Sequence, residues 1–191
     1  TGRSIELSPE KALLVCSGLN WKTLIGLMPG SASTMQREAG FQDALAKEFP
    51  EVEMLGVRYP MADRARALAE AENMMTAHPA LAGLFADNES STVGTVQAVK
   101  QRAAVGRVKI VGFDASKELV QELRAGTLDS IVVQDPFRMG YESTKAMGLH
   151  LDGRQASPRI DSGAYLVLQE NVDQPKIQQV LFPDLDKWLN E

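Results

Sequence analysis

The 191-residue chain contains one cysteine, Cys16, and two histidines, and this scarcity removes several chemistries at once. A single thiol forms no internal disulfide and supplies no Cys-based metal cluster; its default role is a buried, inert one. The histidines, His78 and His150, stand far apart in sequence, so neither a zinc site nor a histidine-based triad is indicated. GxSxG, phosphate-binding glycine loops and paired Cys/His motifs are also missing, which leaves an enzyme poorly supported and implies no cofactor. Asp114 with Asp135 or Glu89 would serve as paired acids only around a bound substrate. No apolar run approaches the roughly 18 residues of a membrane-spanning helix. There is no basic block, and the net charge of −5 argues against nucleic acid and anionic membranes as partners. The charged-then-apolar pattern of a secretory leader is absent too. Because the chain opens Thr1-Gly2-Arg3 without Met, its numbering is expected to start inside a longer protein, so neither export nor redox compartment is decided by that absence.

What is present is a composition of 44% hydrophobic and 24% charged residues, ordinary for a globular protein. A chain of this length buries roughly 70% of the surface its unfolded form exposes, as one large domain or two small ones. The stretch around which the rest is organised is VKIVGFD at 108–114. Its apolar and β-branched run into Gly112 predicts a buried parallel strand that delivers Phe113 and Asp114 at its carboxyl end. Ligands of open α/β sheets bind at that end. Asp114 there accepts hydrogen bonds from hydroxyls or pairs with a cation; the alternative is that it caps the following helix, although Ser116 is equally available before a helix over 117–125.

In chain order, Ser8-Pro9 predicts a helix start, with a short helix over 11–19. Strands are expected at 21–28, 52–57, 81–86, 108–114 and 130–133, with helices from Ser33 or Thr34 to 47 and over 62–77, 93–102, 117–125 and 139–151. Pro29-Gly30-Ser31 ends the first strand and Tyr59-Pro60 the second. Leu68, Ala71, Met74 and Met75 form the apolar stripe of the 62–77 helix, where the methionines read as core. A further strand is expected at 164–169, after a polar linker with Gly153 and Pro158. The alternation predicts an α/β, doubly wound parallel sheet with right-handed crossovers. Arg37 lies in the first turn of its helix, where a cation opposes the helix dipole, so an acid or ligand partner would account for it better than helix stability does. Arg37, Asn88 and Asp114 fall at or just beyond one edge of the sheet, and Gln134 ends the fifth strand at that same edge. Such convergence suits a crevice. Caps remain the simplest reading of Asn88 alone.

The segments SASTMQREAGF, LFADNESSTVGTVQAVK, VKIVGFDASKELVQELRAGTL and SIVVQDPFRMGY, in this order and spacing, resemble the type I periplasmic sugar-binding proteins of ABC transporters, those similar to ribose-binding protein. The resemblance covers nearly all of the chain from about Thr23. It implies two α/β lobes closing on a monosaccharide or related polyol, a permease as partner, and a periplasmic or extracellular setting. It also implies a ligand-binding set of Arg37 from the R-x-x-G-F turn, Asn88 from A-x-N-[DE], Asp114 of G-F-D and Gln134, with Phe113 as an apolar face for the ring. These donors and acceptors suit vicinal hydroxyls. The implied division is a remnant of the N-terminal lobe at 1–20, the C-terminal ligand-binding lobe at 21–136, an N-terminal-lobe segment at 137–162, and a C-terminal-lobe strand and tail at 163–191. Most of the N-terminal lobe is then absent, and a homodimer or domain swap is one way to cover the surface it would hide. Hinges are expected near Thr1, Gln134–Arg138 and Ser162. Relatives place an aromatic just before the helix expected at Ala62; this chain has Met61-Ala62, with Tyr59 nearby. The alternative function on the same fold is the effector-binding core of a lactose-repressor-type regulator, whose usual G-x-x-V-P-x-D-[IV] before G-F-D is replaced here by Ala104-Val105-Gly106-Arg107-Val108. A signalling receptor is a variant of the transporter reading.

Overall fold

The computed structural model describes residues 21–26 and 28–189. The readings placed on residues 1–20, namely the 11–19 helix, Cys16 and the Thr1 hinge, lie outside these. Six strands, β1 (Trp21–Ile25), β2 (Glu53–Arg58), β3 (Gly83–Ala86), β4 (Lys109–Phe113), β5 (Ser130–Gln134) and β6 (Ala164–Leu168), alternate with five long helices. The helices are α1 (Ala32–Glu48), α2 (Arg64–Ala77), α3 (Glu89–Gln101), α4 (Lys117–Arg124) and α5 (Pro136–Leu151), followed by the short α6 (Pro175–Leu181) and α7 (Asp186–Leu189).

The strands form one sheet in the order β2-β1-β3-β4-β5-β6. The first five are parallel, as expected of strands joined by helical crossovers. The sixth, whose direction the sequence left open, pairs antiparallel to β5, with Gln134 opposite Ala164. Alternation along a strand cannot specify its direction; the path of residues 135–163 does, because they leave at the carboxyl edge and return to it. Period-two alternation divides the core between the two faces. Ile25, Leu84, Ile110, Ile131 and Val167 face α2, α3, α4 and α6, and Leu24, Phe85, Val111, Val132 and Leu166 face the other way. On this second face Phe41 of α1 stacks on Phe85, with ring centroids 4.5 Å apart. The β1–β2 register slips between Lys22 and Leu24, and Gly56, at φ 123°, supplies backbone that other residues rarely adopt.

Helix starts show where local chemistry overrode composition. The helix expected from Ala62 begins at Arg64, because Asp63 is its N-cap and accepts from Arg66 N at 2.8 Å. The helix expected from Val93 begins at Glu89, capped by Asn88. At α1 the N-cap is Ser31 rather than Ser33 or Thr34, and β1 ends at Ile25 rather than running to Met28. Before α2, Met61 and Ala62 both occupy the left-handed region, at φ 60° and 61°. That conformation costs a non-glycine residue about 1–2 kcal/mol. Ala62→Gly is therefore expected to stabilise the protein by roughly 1 kcal/mol, read as a higher urea midpoint at unchanged slope. An unchanged or lower midpoint would mean that the turn is not strained.

Helix α5 differs from the other four long helices in having no buried residue. Tyr141, Met147 and Leu151 lie exposed along it.

Candidate functional site

The carboxyl ends of β3, β4 and β5 lie side by side, and the guanidinium of Arg37 spans all three. Its Nη1 donates to the Asp87 carbonyl oxygen after β3, and its Nη2 to Gln134 Oε1 at the end of β5, each at 2.7 Å. Asp114 Oδ2, after β4, stands 3.6 Å from Nη1, and the guanidinium carbon lies 3.8 Å from the centroid of the Phe113 ring. The sequence-level puzzle of a cation in the first turns of α1 thus resolves: Arg37 points away from its own helix into the sheet edge. A fork of rigid donors on an aromatic platform fixes both position and plane.

Asp114 does not cap α4; Ser116 does, accepting from Leu119 N. Asp114 instead adopts the left-handed region, at φ 63°, while its N–H donates to Val132 O at 2.9 Å and extends the β4–β5 ladder. Aspartate tolerates this region better than most residues, and strain held this way is concentrated at ligand sites. The turn lifts the carboxylate out of the sheet, and its side chain keeps 35% exposure against 14% for Arg37. Burial raises the Asp114 pKa, a rise opposed chiefly by the Arg37 charge.

The structure brings Arg37, Asp114, Gln134 and Phe113 into one cluster. It uses Asn88 otherwise. Its Nδ2 donates to Asp87 Oδ1 and Ser91 Oγ, and its Oδ1 accepts from Ser90 Oγ and Ser91 N. All four hydrogen-bonding positions of the amide are engaged. Ser91 Oγ in turn donates to Gly26 O, so Asn88 ties β1, β3 and α3 together beside the crevice. Phe113 is 9% exposed, and one face of its ring carries the Arg37 guanidinium.

Beneath Arg37 lies a group that sequence reasoning missed. Asp87 and Glu38 are 0% and 5% exposed. Tyr59 Oη donates to Glu38 Oε2 at 2.8 Å, which raises the phenol's pKa. Glu38 Oε1 and Asp87 Oδ2 have no hydrogen-bond partner. Desolvation, more than any other cause, raises the Asp87 carboxyl to about 7; the Asn88 amide opposes the rise and Glu38 adds to it. In sequence Glu38 follows Arg37 on a helix and reads as one more surface charge. Among the described residues no group of three or more His, Cys, Asp or Glu side chains could hold a metal ion.

The sequence pattern of the family described as periplasmic binding protein domain matches residues 23–155, which takes in all three strand ends that carry the cluster. The chain belongs to this family. As a periplasmic binding protein domain it is 24% identical over 143 residues to the ribose import binding protein of Bacillus subtilis, covering 75% of this chain and 45% of the relative. It is 26% identical over 141 residues to the ribose import binding protein of Salmonella typhimurium, covering 74% and 47%. A solute-binding protein of an ABC transporter from Agrobacterium vitis, bound with α-D-tagatopyranose, superposes with a TM-score of 0.86 at 27% identity, over 90% of this chain and 57% of its own. A carbohydrate transporter solute-binding protein from Agrobacterium radiobacter, in complex with D-arabinose, gives 0.84 at 28%, over 92% and 59%. The chain spans about half the length of the curated relatives it matches. No described helix of this periplasmic binding protein domain is long and apolar enough to cross a membrane.

Proposed function

We propose that the chain supplies the C-terminal, ligand-gripping lobe of a solute receptor for an ABC transporter, taking a monosaccharide or related polyol at the carboxyl edge and presenting it to a permease outside the cytoplasmic membrane. The observation that carries this reading is Arg37 held across the ends of β3, β4 and β5, with the Asp114 carboxylate beside it. A planar donor array next to an acceptor matches adjacent hydroxyls on a sugar ring, each of which donates and accepts. Every group in the cluster has a binding or supporting role, and none needs a catalytic one. The tagatose- and arabinose-bound relatives support a sugar as the ligand class.

Residues 137–162 are read as belonging to a second lobe. Both connections to them, from Gln134 and into Ala164, sit at the ligand edge, and α5 buries nothing against the sheet. Two crossings at one edge form a hinge that lets lobes close over a bound sugar. Closure of this kind would be what the permease recognises, and a second copy of the chain is the other surface able to cover α5.

The test is a thermal-shift screen against D-ribose, D-allose, D-arabinose, D-tagatose, D-fucose, sorbitol and adenosine. One sugar class is expected to raise the Tm by on the order of 5–10 °C at a hundredfold excess over Kd. A shift with adenosine alone, or with none of the panel, would contradict the reading.

A further inference from the structure

Two unpartnered oxygens on adjacent buried carboxyl groups need a common explanation. Glu38 Oε1 and Asp87 Oδ2 both lack a hydrogen-bond partner, in side chains more than nine-tenths buried. Their other oxygens are occupied, by Tyr59 Oη and by Asn88 Nδ2. An acceptor without a donor is costly in such a place, and two adjacent carboxylates cannot both stay ionised there. One proton between the two free oxygens satisfies both. We propose that Glu38 and Asp87 hold a single shared proton, and that this proton-bridged pair is the positioning group that seats Arg37 across the strand ends.

The link to Arg37 is structural on both sides. Glu38 is its neighbour on α1, so the bridge pins that turn of the helix to the end of β3. Asp87 provides the backbone carbonyl that receives Arg37 Nη1 at 2.7 Å. Loss of the proton places two negative charges in contact, and the direct way to separate them moves Glu38, and Arg37 with it, off the edge. Glu38 and Tyr59 pack closely over Gly26, where an added methyl would stand 2.9 Å from Glu38 Oε1 and from the Tyr59 ring. The charged and titratable groups facing Asp87 are Arg37 and Glu38 from α1 and Tyr59 following β2, with the neutral Asn88 amide beside it. The Asn88 amide and Arg37 favour the ionised form, and the Glu38 carboxyl opposes it.

The sign follows from linkage. The Asp87 carboxyl is raised to about 7, whereas an unfolded aspartate releases its proton near pH 4. The folded protein therefore holds a proton that the unfolded chain has lost. Its contribution to stability is complete below about pH 4 and declines as pH rises through about 7.

The test needs no ligand, so it stands or falls separately from the sugar-receptor reading. The Tm of the chain is measured from pH 4 to 8.5 for wild type, Glu38→Gln and Asp87→Asn, alongside ¹³C carboxyl spectra of the wild type and ¹⁵N spectra of the Arg37 guanidinium. Either amide supplies a permanent N–H where the proton sat, and its carbonyl still accepts from Tyr59 or from Asn88. The wild type is expected to lose Tm across this range, with one carboxyl titrating near neutrality and the Arg37 side-chain signals lost by pH 8.5. Both variants are expected to have a flatter profile and to retain the Arg37 signals at pH 8.5. Contributions from other groups, the two histidines included, are common to all three proteins and cancel. A wild-type profile no steeper than that of the variants, or both carboxyls titrating below pH 5, would overturn the proposal. Arg37 signals that persist equally in wild type and variants would overturn the positioning role. Should both variants fail to fold, the wild-type carboxyl titration decides alone.

Discussion

Arg37→Ala is expected to lower sugar affinity by two to three decades and to cost stability as well. The side chain touches the ends of three strands, through Asp87 O, Asp114, Gln134 Oε1 and the Phe113 ring. Hydrogen bonds from a charged donor contribute about 1.5–3 kcal/mol each, so losing two ligand contacts accounts for the drop in affinity. Truncation also removes the donor from Gln134 Oε1 and the cover from Phe113, at a cost of roughly 1–3 kcal/mol to the unliganded fold. Arg37→Lys separates the two effects. It keeps the charge but cannot span β3 and β5 as a planar fork, so much of the stability should return while affinity stays low. Calorimetric titration with the sugar that gives the largest thermal shift measures the first effect, and urea unfolding the second. Affinity within threefold of wild type for Arg37→Ala would remove Arg37 from the site.

Gly94→Val is expected to be the most damaging substitution in the fold. A Cβ on Gly94 would stand 2.5 Å from the Ala67 Cβ and the Arg64 carbonyl oxygen, and 2.7 Å from Leu68 N. Two of these three atoms belong to the α2 backbone, which cannot rotate aside, so α2 and α3 must separate and open the core that Ala67, Ala71, Val93 and Val96 share. Overpacking costs typically 1–3 kcal/mol with flexible neighbours, and rigid ones place this variant at or beyond the upper end. A Tm loss of roughly 10 °C or more, or failure to accumulate as folded protein, is the expected result. Gly40→Ala is the control: it lies on α1 with nothing within 4 Å of the added methyl, and helix propensity alone predicts a gain of roughly 0.5–1 kcal/mol. A Gly94→Val protein as stable as wild type would show that the two helices do not cross as closely as the structure places them.

Much of the fold was legible because its determinants are local. Runs such as VKIVGFD and SIVVQ carry β-branched residues on both faces, which only a strand buried on both sides requires, and the helical stripes of 64–77 and 89–101 have the right period. The site edge was legible for the same reason: once the strands were placed, Asp114 and Gln134 could only fall at their carboxyl ends. Direction was not. Nothing in AYLVL distinguishes a parallel from an antiparallel partner, and β6 takes its sense from a detour whose two ends meet at one edge. Helix starts moved where a short polar side chain won the competition for the first free N–H groups, as Asp63 and Asn88 did. The left-handed Met61-Ala62 pair has no sequence signal, since neither residue favours that conformation.

The candidate site residues divided in the same way. Arg37, Asp114 and Gln134 were identified by position and meet in space. Asn88 was placed at the right edge, but its amide is consumed by Asp87, Ser90 and Ser91, a use that its own sequence neighbours foreshadow. Phe113 stands where expected and supports Arg37 rather than open space. Glu38 was invisible, because only the tertiary packing of α1 against β3 turns a helical glutamate inward onto Asp87.

The measurement that bears most directly on the central claim is a ¹H–¹⁵N titration of the chain with the sugar that gives the largest thermal shift, following every assigned backbone amide. The largest perturbations are expected at Arg37, Asn88, Asp114 and Gln134, across the ends of β3, β4 and β5, and they should vanish in Asp114→Ala. Perturbations confined to the opposite edge of the sheet, or perturbations that survive Asp114→Ala unchanged, would contradict a sugar site centred on Arg37.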